Sequence, residues 1–308
     1  MTIPTDYSFT RYLAAKKTID DRALNRHVWN SLNKALPGAT QETPLRVLEI
    51  GAGIGTMVER VLEKNLLTHA TYTALDAEAD NINEARCRMS QWAINQRFAM
   101  DDEGENRIRL HRGAQNISVT LETIDVFNFI TREKNRRTWD LLIAHAFVDL
   151  VDVPSTLPTL LSLLKPGGLF YFTIVFDGGT TFQPEIDSSF DAYIERLYHQ
   201  TMDTRQVNGQ PSGDSQTGRH LFQHLRTAGA ELVDAGSSDW VVYPGPNGYP
   251  ADEAYFLRFI INTMHAALAG HPDLIPDQLT TWIAQRHAQI EAEQLVYIAH
   301  QLDFLGRV

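Results

Sequence analysis

Three glycines, Gly51, Gly53 and Gly55, follow the apolar run Val47-Leu48-Glu49-Ile50 and precede Thr56. A glycine-rich turn between a strand and a helix can cradle a cofactor, because glycines let the backbone approach a ligand closely and present its N–H groups. Nicotinamide and flavin enzymes use a related turn, and an ordinary strand-to-helix turn would also accept these residues. Two neighbours move the choice. The dinucleotide pattern G-x-G-x-x-G asks for glycine at position 56, where this chain has Thr56. Glu49 places a carboxylate just ahead of the turn, awkward beside a pyrophosphate but suited to a ligand that bears an amino group and a sulfonium. Asp76 ends the next apolar run, 21 residues beyond Gly55 (76 − 55), where a carboxylate can accept from both ribose hydroxyls. A helix cap or an exposed loop acid is the plainer alternative for it.

Further along, His145 and Asp149 end another apolar run, Leu141 to Ala144. A histidine there can serve as general base, since its pKa lies near physiological pH, or stand as a hydrogen-bonded wall. Asp149 is the second candidate base, with a cap role as the alternative. His220 and His224, spaced i, i+4, could share a metal on one helical face, but no third ligand accompanies them, and a surface helix is the better reading. No metal site is expected. His199, Tyr198, Trp240 and Tyr255 could line a substrate pocket or simply be packed.

These residues need a frame. From Leu45 strand-like runs alternate with helical ones, the pattern of a parallel sheet with helices on both faces, an α/β doubly wound fold. The expected strands are Arg46 to Ile50, Thr71 to Leu75, Val119 to Thr123, Leu141 to Ala144, Gly168 to Phe176, Glu231 to Val242 and Gln294 to Phe304, seven in all. Ile108 to Ser118 would add an edge strand or hairpin. Helices are expected at Thr56 to Lys64, Ala79 to Gln96, Ser155 to Leu164, Ser188 to Met202 and Arg219 to Ala228. Lys165-Pro166-Gly167-Gly168 stops the third of these, and regularity is expected to break again at Asp177-Gly178-Gly179-Thr180-Thr181.

Residues 1–44 read as a helical extension with Thr18 as its cap and Leu24, Val28, Leu32 and Leu36 on one face, expected to pack over the glycine turn as a lid. Residues 45–249 form the core, with a variable segment at 177–218 that includes a polar loop from Asn208 to Gly218. Residues 250–293 are a helical insertion and 294–308 the last strand.

Composition narrows the partners. Twenty-seven Lys and Arg against 38 Asp and Glu give a net charge of −11, which disfavours a nucleic-acid partner. The short basic cluster Arg132 to Arg137 reads as a solvated loop. The single cysteine, Cys87, excludes an internal disulfide, and no long apolar run or signal-like segment occurs, so a cytoplasmic protein without membrane contact is expected. A homodimer stays among the open options.

Over about Leu45 to Phe176 the chain resembles the class I, Rossmann-like methyltransferases that use S-adenosylmethionine. Gly51 to Gly55 match that family's first motif and Leu75-Asp76 its ribose-binding strand end. Ile124-Asp125-Val126 resembles the strand end whose acid meets the adenine amino group. Trp139-Asp140-Leu141-Leu142-Ile143 and Leu164-Lys165-Pro166-Gly167-Gly168 look like the fourth and post-fourth motifs. The ordered set is more specific than any one member.

The resemblance implies an antiparallel last strand and a cofactor cradle of Glu49, Gly51, Ala52, Gly53, Gly55, Asp76, Ala77, Asp125, Val126, His145 and Ala146. His145-Ala146-Phe147-Val148 stands where members that methylate nucleobase amines or glutamine begin an N-P-P-Y tetrad, which disfavours that activity. The implied reaction is direct displacement of a methyl group onto a small molecule, with S-adenosylhomocysteine as the other product. A nicotinamide, NAD(P)-dependent Rossmann oxidoreductase and a non-catalytic S-adenosylmethionine-binding protein are the alternatives.

Overall fold

The computed structural model describes residues 7–104, 106–133, 136–207 and 209–308. Helices α1 (Phe9–Ala23) and α2 (Arg26–Ala35) precede strand β1 (Leu45–Ile50). Next come α3 (Thr56–Glu63), β2 (His69–Asp76), α4 (Ala79–Asn95), β3 (Ala99–Gly104), β4 (Arg107–Arg112) and β5 (Gln115–Thr123). They are followed by α5 (Val126–Arg132), β6 (Trp139–His145), a short 3-10 turn (Val148–Leu150), α6 (Val153–Leu161) and the long β7 (Leu164–Gln183). The remainder runs α7 (Ser188–Asp203), a small hairpin of β8 (Gln206–Val207) and β9 (Gln210–Pro211), α8 (Thr217–Thr227), β10 (Glu231–Ser237), β11 (Trp240–Val242), α9 (Glu253–Leu268), α10 (Pro276–Glu291) and β12 (Val296–Arg307).

The main sheet has ten strands, ordered β10-β12-β7-β6-β1-β2-β5-β4-β3, with β11 also beside β12. Its centre, β7-β6-β1-β2-β5, is parallel, and β12 runs antiparallel to both β7 and β10. The antiparallel last strand is as expected, while the count exceeds seven. The hairpin β3–β4 extends one edge, and Ser238-Asp239 interrupts the expected strand from Glu231 to Val242 to give β10 and β11. After β1 the chain moves to one side through β2 and β5, then returns to β6 on the other. Ligands bind at such a switch point, outside the carboxyl ends of the strands. The Gly51 turn and His145 lie there.

Alternation along the strands decides which face each side chain joins. Val47, Leu141 and Ile143 pack on the side that carries α1 to α4, α9 and α10, whereas Leu48, Ile50, Leu142 and Ala144 pack on the side of α5, α6 and α8. The same period sends Glu49 and His145 toward α1.

Several boundaries differ from expectation for local reasons. The extension is two helices, capped by the side chains of Ser8 and Asn25. Thr18 sits inside α1 and donates to Glu253 at 2.7 Å rather than capping. Helix α6 stops at Leu161, before the Lys165 to Gly168 turn, where Gly167 has φ +76° and donates to the Val308 carbonyl at 2.7 Å. Strand β7 does not end at Phe176. Its partner β12 pairs with it as far as Gln183, and Asp177 and Gly178 bulge out where the register moves from Phe176–Gln301 to Gly179–His300. Lys134 and Asn135 of the basic cluster, and Asn208 of the polar loop, lie outside the described residues.

Asp303 on β12 fixes a second irregularity. Its carboxylate, fully buried, accepts the N–H of Ile174 at 2.9 Å, where β7 takes a positive φ of 55°. It also accepts the N–H of Asn25 at 2.8 Å, at the start of α2. One acid thus joins the helical extension to two strands. Asp303→Ala strands two backbone donors and is expected to cost about 2–6 kcal/mol, at roughly 1–3 kcal/mol for each orphaned group. Equilibrium urea unfolding checks it, and a loss under about 0.5 kcal/mol would refute the role.

Candidate active site

The turn after β1 is left-handed at all three glycines, with φ of +63° at Gly51, +54° at Gly53 and +79° at Gly55. A Cβ on Gly51 would lie 2.5 Å from the Phe147 ring, and one on Gly53 would lie 3.1 Å from Leu13 of α1. Glycine is therefore demanded by both backbone and space. Asp76 holds the turn in place. Its Oδ2 accepts from the Gly53 N–H at 2.8 Å, and its Oδ1 accepts from the Glu78 N–H at 2.9 Å and the Asn81 amide at 3.0 Å. Oδ2 bears a single bond, so a further donor can be received there.

The other expected cradle residues gather around this point. Ala52 donates to the Leu75 carbonyl at 2.8 Å, tying the turn to the end of β2, where Ala77 is exposed. Ile124 donates to the Asp76 carbonyl at 2.9 Å, which brings Asp125 and Val126 beside the same strand end. The Asp125 carboxylate caps α5, accepting from Phe127 at 2.9 Å and Asn128 at 3.3 Å. Ala146 has a positive φ of 50° and donates to the Thr173 carbonyl at 2.8 Å.

Glu49 is 1 % exposed and accepts from the Tyr72 hydroxyl at 2.7 Å. Burial pushes its carboxyl up to about 8, although the Tyr72 hydrogen bond and Arg60 pull it down. At neutral pH it is a neutral acid in the ligand-free protein. A raised acid makes the fold lose stability as pH climbs from the ordinary value of 4.5 toward 8. Glu49→Gln cannot ionise, so its Tm relative to the parent is expected to rise steadily between pH 5 and pH 8. A difference that stays flat across that range, in scanning calorimetry without cofactor, would contradict this.

Above the turn lies a buried ionic cluster that motif reading did not find. Asp20 of α1 is 1 % exposed. Its Oδ2 accepts from Lys16 at 2.8 Å, from His145 Nε2 at 2.9 Å and from Arg60 at 3.4 Å, and its Oδ1 accepts from the Trp240 indole at 2.8 Å. Burial alone would raise its pKa, but Lys16, His145 and Arg60 outweigh that and hold it well below the usual carboxylate range. Arg60, wholly buried, also pairs with Asp21 and donates to Thr56 at 3.2 Å. A helix capped at Thr18 would carry Asp20 in its first turn, but α1 begins at Phe9. Asp20 lies near the other end, facing inward. The available signal was Lys16 and Asp20 spaced i, i+4, with the apolar Ile19 and Leu24 nearby.

His145 is built into this cluster. With Nε2 donating to Asp20, Nδ1 accepts the Thr173 hydroxyl at 2.8 Å. Burial lowers its pKa to about 4, Asp20 opposing and Lys16 and Arg60 assisting. Both ring nitrogens are engaged, which is the wall arrangement. Asp149, in the 3-10 turn after β6, differs. Its Oδ1 is buried with no partner from another residue, and burial lifts its pKa to about 6 against the pull of its own backbone N–H, Arg205 and Lys16.

The variable-segment residues are mostly structural ties. Tyr255 accepts the Ser8 N–H at 2.7 Å, His199 meets the Thr180 hydroxyl at 2.9 Å, and His220 pairs with Asp214. Among the described residues no three His, Cys, Asp or Glu side chains are grouped to hold a metal. Also among these residues, no helix is long and apolar enough to cross a membrane.

Asp20→Asn removes the charge that balances Lys16 and Arg60. Breaking a buried pair in this way costs about 3–5 kcal/mol. We expect a lower Tm and faster proteolysis within α1, and an unchanged cleavage rate would show that α1 is held by packing alone.

A methyltransferase domain family matches residues 48–170. No curated protein sequence matches the chain. Among solved structures, similarity extends to a Galdieria sulphuraria protein provisionally assigned as a sarcosine dimethylglycine methyltransferase, at 12 % identity, 94 % and 85 % coverage of this chain and that one, and TM-score 0.43. A Haemonchus contortus phosphoethanolamine N-methyltransferase gives 16 % identity and TM-score 0.40, with 99 % of this chain covering 61 % of that protein's length. The geranyl diphosphate C-methyltransferase of Streptomyces coelicolor gives 10 % identity, 91 % and 80 % coverage, and TM-score 0.40. The matched methyltransferase domain is the part of the chain that carries the ordered motifs, from the Gly51 turn at the switch point to the Lys165 to Gly168 turn.

Proposed function

We propose that the enzyme methylates a small molecule by direct displacement, at the site between the Gly51 turn and α1. The observation that carries this reading is the roof. Leu13 of α1 packs on Gly53, and Asp20 of the same helix is bonded to His145 at the end of β6. A site covered by a helix whose inner face is buried excludes water and admits a compact acceptor more readily than a folded protein or an RNA. The net charge of −11 adds to the case against nucleic acid.

In this reading Gly51, Ala52, Gly53 and Gly55 present backbone to the methionine part of the cofactor, and Asp76 receives its ribose. Asp125, Val126, Ala77 and Ala146 border the adenine end and the donor side, and Glu49 supports the turn from within. S-Adenosylmethionine brings a methyl group on a sulfonium that needs no further activation. What the chain must supply is alignment, worth about 7–11 kcal/mol when donor and acceptor are held well. His145 then positions α1 through Asp20, and Asp149 is left as the side chain able to take a proton.

Two measurements test it. Titration calorimetry should show S-adenosylmethionine binding, with NADH binding absent, and Asp76→Ala should weaken the former at least tenfold. With methyl-labelled cofactor and a cell extract, label should appear in the low-mass fraction. Label confined to protein or RNA would overturn the small-molecule reading, and binding without any transfer would make the protein a cofactor-binding module.

A further inference from the structure

Among the described residues, Asp149 Oδ1 is the only carboxylate oxygen that is buried and lacks a hydrogen-bond partner from another residue. Such oxygens are costly, and one that persists beside a reaction site calls for a ligand. Asp149 lies two residues beyond Phe147, whose ring covers Gly51. The cations that face it are committed elsewhere. Lys16 donates to Asp20 at 2.8 Å, and Arg205 spends its guanidinium on the carbonyls of Ser212 at 2.8 Å and Asp149 itself at 3.3 Å. Tyr12 of α1 and Tyr198 of α7 share the same interior, and burial raises both phenols, Tyr198 to about 12. They are neutral walls and supply no positive charge.

Resting on the reading that the Gly51 turn holds the methyl donor, we propose that the acceptor is an alkylammonium compound whose N–H is donated to Asp149 Oδ1. Asp149 then takes that proton: the N–H bond breaks, an O–H bond forms on the carboxyl, and nitrogen keeps the electron pair. The neutral amine so produced is the nucleophile that methylation requires. A carboxyl whose pKa lies near 6 is well placed for this exchange.

Dimethylammonium chloride is the probe, titrated into the full chain saturated with S-adenosylhomocysteine, with sodium chloride as the control. Calorimetry should detect saturable millimolar binding at pH 7.5. Affinity should fall at least tenfold by pH 5, as Asp149 protonates while the probe stays charged. Asp149→Asn should lose the same factor, keep its affinity for S-adenosylhomocysteine and show a Tm no lower than the parent. No binding up to 100 mM (on the order of ten times a weak pocket's Kd), or affinity indifferent to pH, overturns the proposal; the pH series needs no variant to fold. Failure to bind S-adenosylhomocysteine would instead count against the donor site.

Discussion

One buried carboxylate organises the upper half of this protein. Asp20 gathers donors from its own helix, from α3, from the end of β6 and from β11, so four elements meet on two oxygen atoms. Desolvating an acid is expensive, and only the combined field of Lys16, Arg60 and the imidazole makes it tolerable. Without the acid, buried Lys16 would lose its carboxylate partner and Arg60 would keep only Asp21. Such networks specify one geometry more than they add stability. Here the geometry specified is the seating of α1 over the glycine turn.

The parallel core was readable because its signals are local. Apolar alternation sets a strand, and Gly51 to Gly55, Asp76 and the Lys165 to Gly168 turn mark its ends at fixed offsets. A lid was expected of the N-terminal helices, but the bonds that seat them were not readable, for the opposite reason. Asp20 and Trp240 are 220 positions apart, and Asp20 and His145 are 125 apart, and no spacing rule connects them. Likewise β7 looked finished at Asp177-Gly178 because glycines usually punctuate. The pairing with β12 carries the strand through a bulge, and that pairing is a tertiary fact.

The two acids that flank the glycine turn show how environment divides identical chemistry. Glu49 is buried with a hydroxyl partner and stays protonated at neutral pH, so it behaves as a polar strut between β1 and β2. Asp149 keeps its Oδ1 buried without a hydroxyl partner, and burial raises its carboxyl only to about 6. Position relative to the strand explains the split. Glu49 is within β1 and paired on both sides, whereas Asp149 is in a short turn past the end of β6, free of ladder constraints.

The antiparallel return of β12 has a consequence for how the protein assembles. Asp303 on this strand anchors α2, and β12 carries β11 with Trp240, so the first helices of the chain dock on its last strand. Closing loops of this length is slow compared with forming local hairpins and helices. The seat of α2 therefore depends on a residue 278 positions away, whereas Asp76 holds the glycine turn across only 23. A fragment limited to residues 48–170 would carry the turn and Asp76 but neither Asp20 nor Asp303, and so would hold a floor without a ceiling.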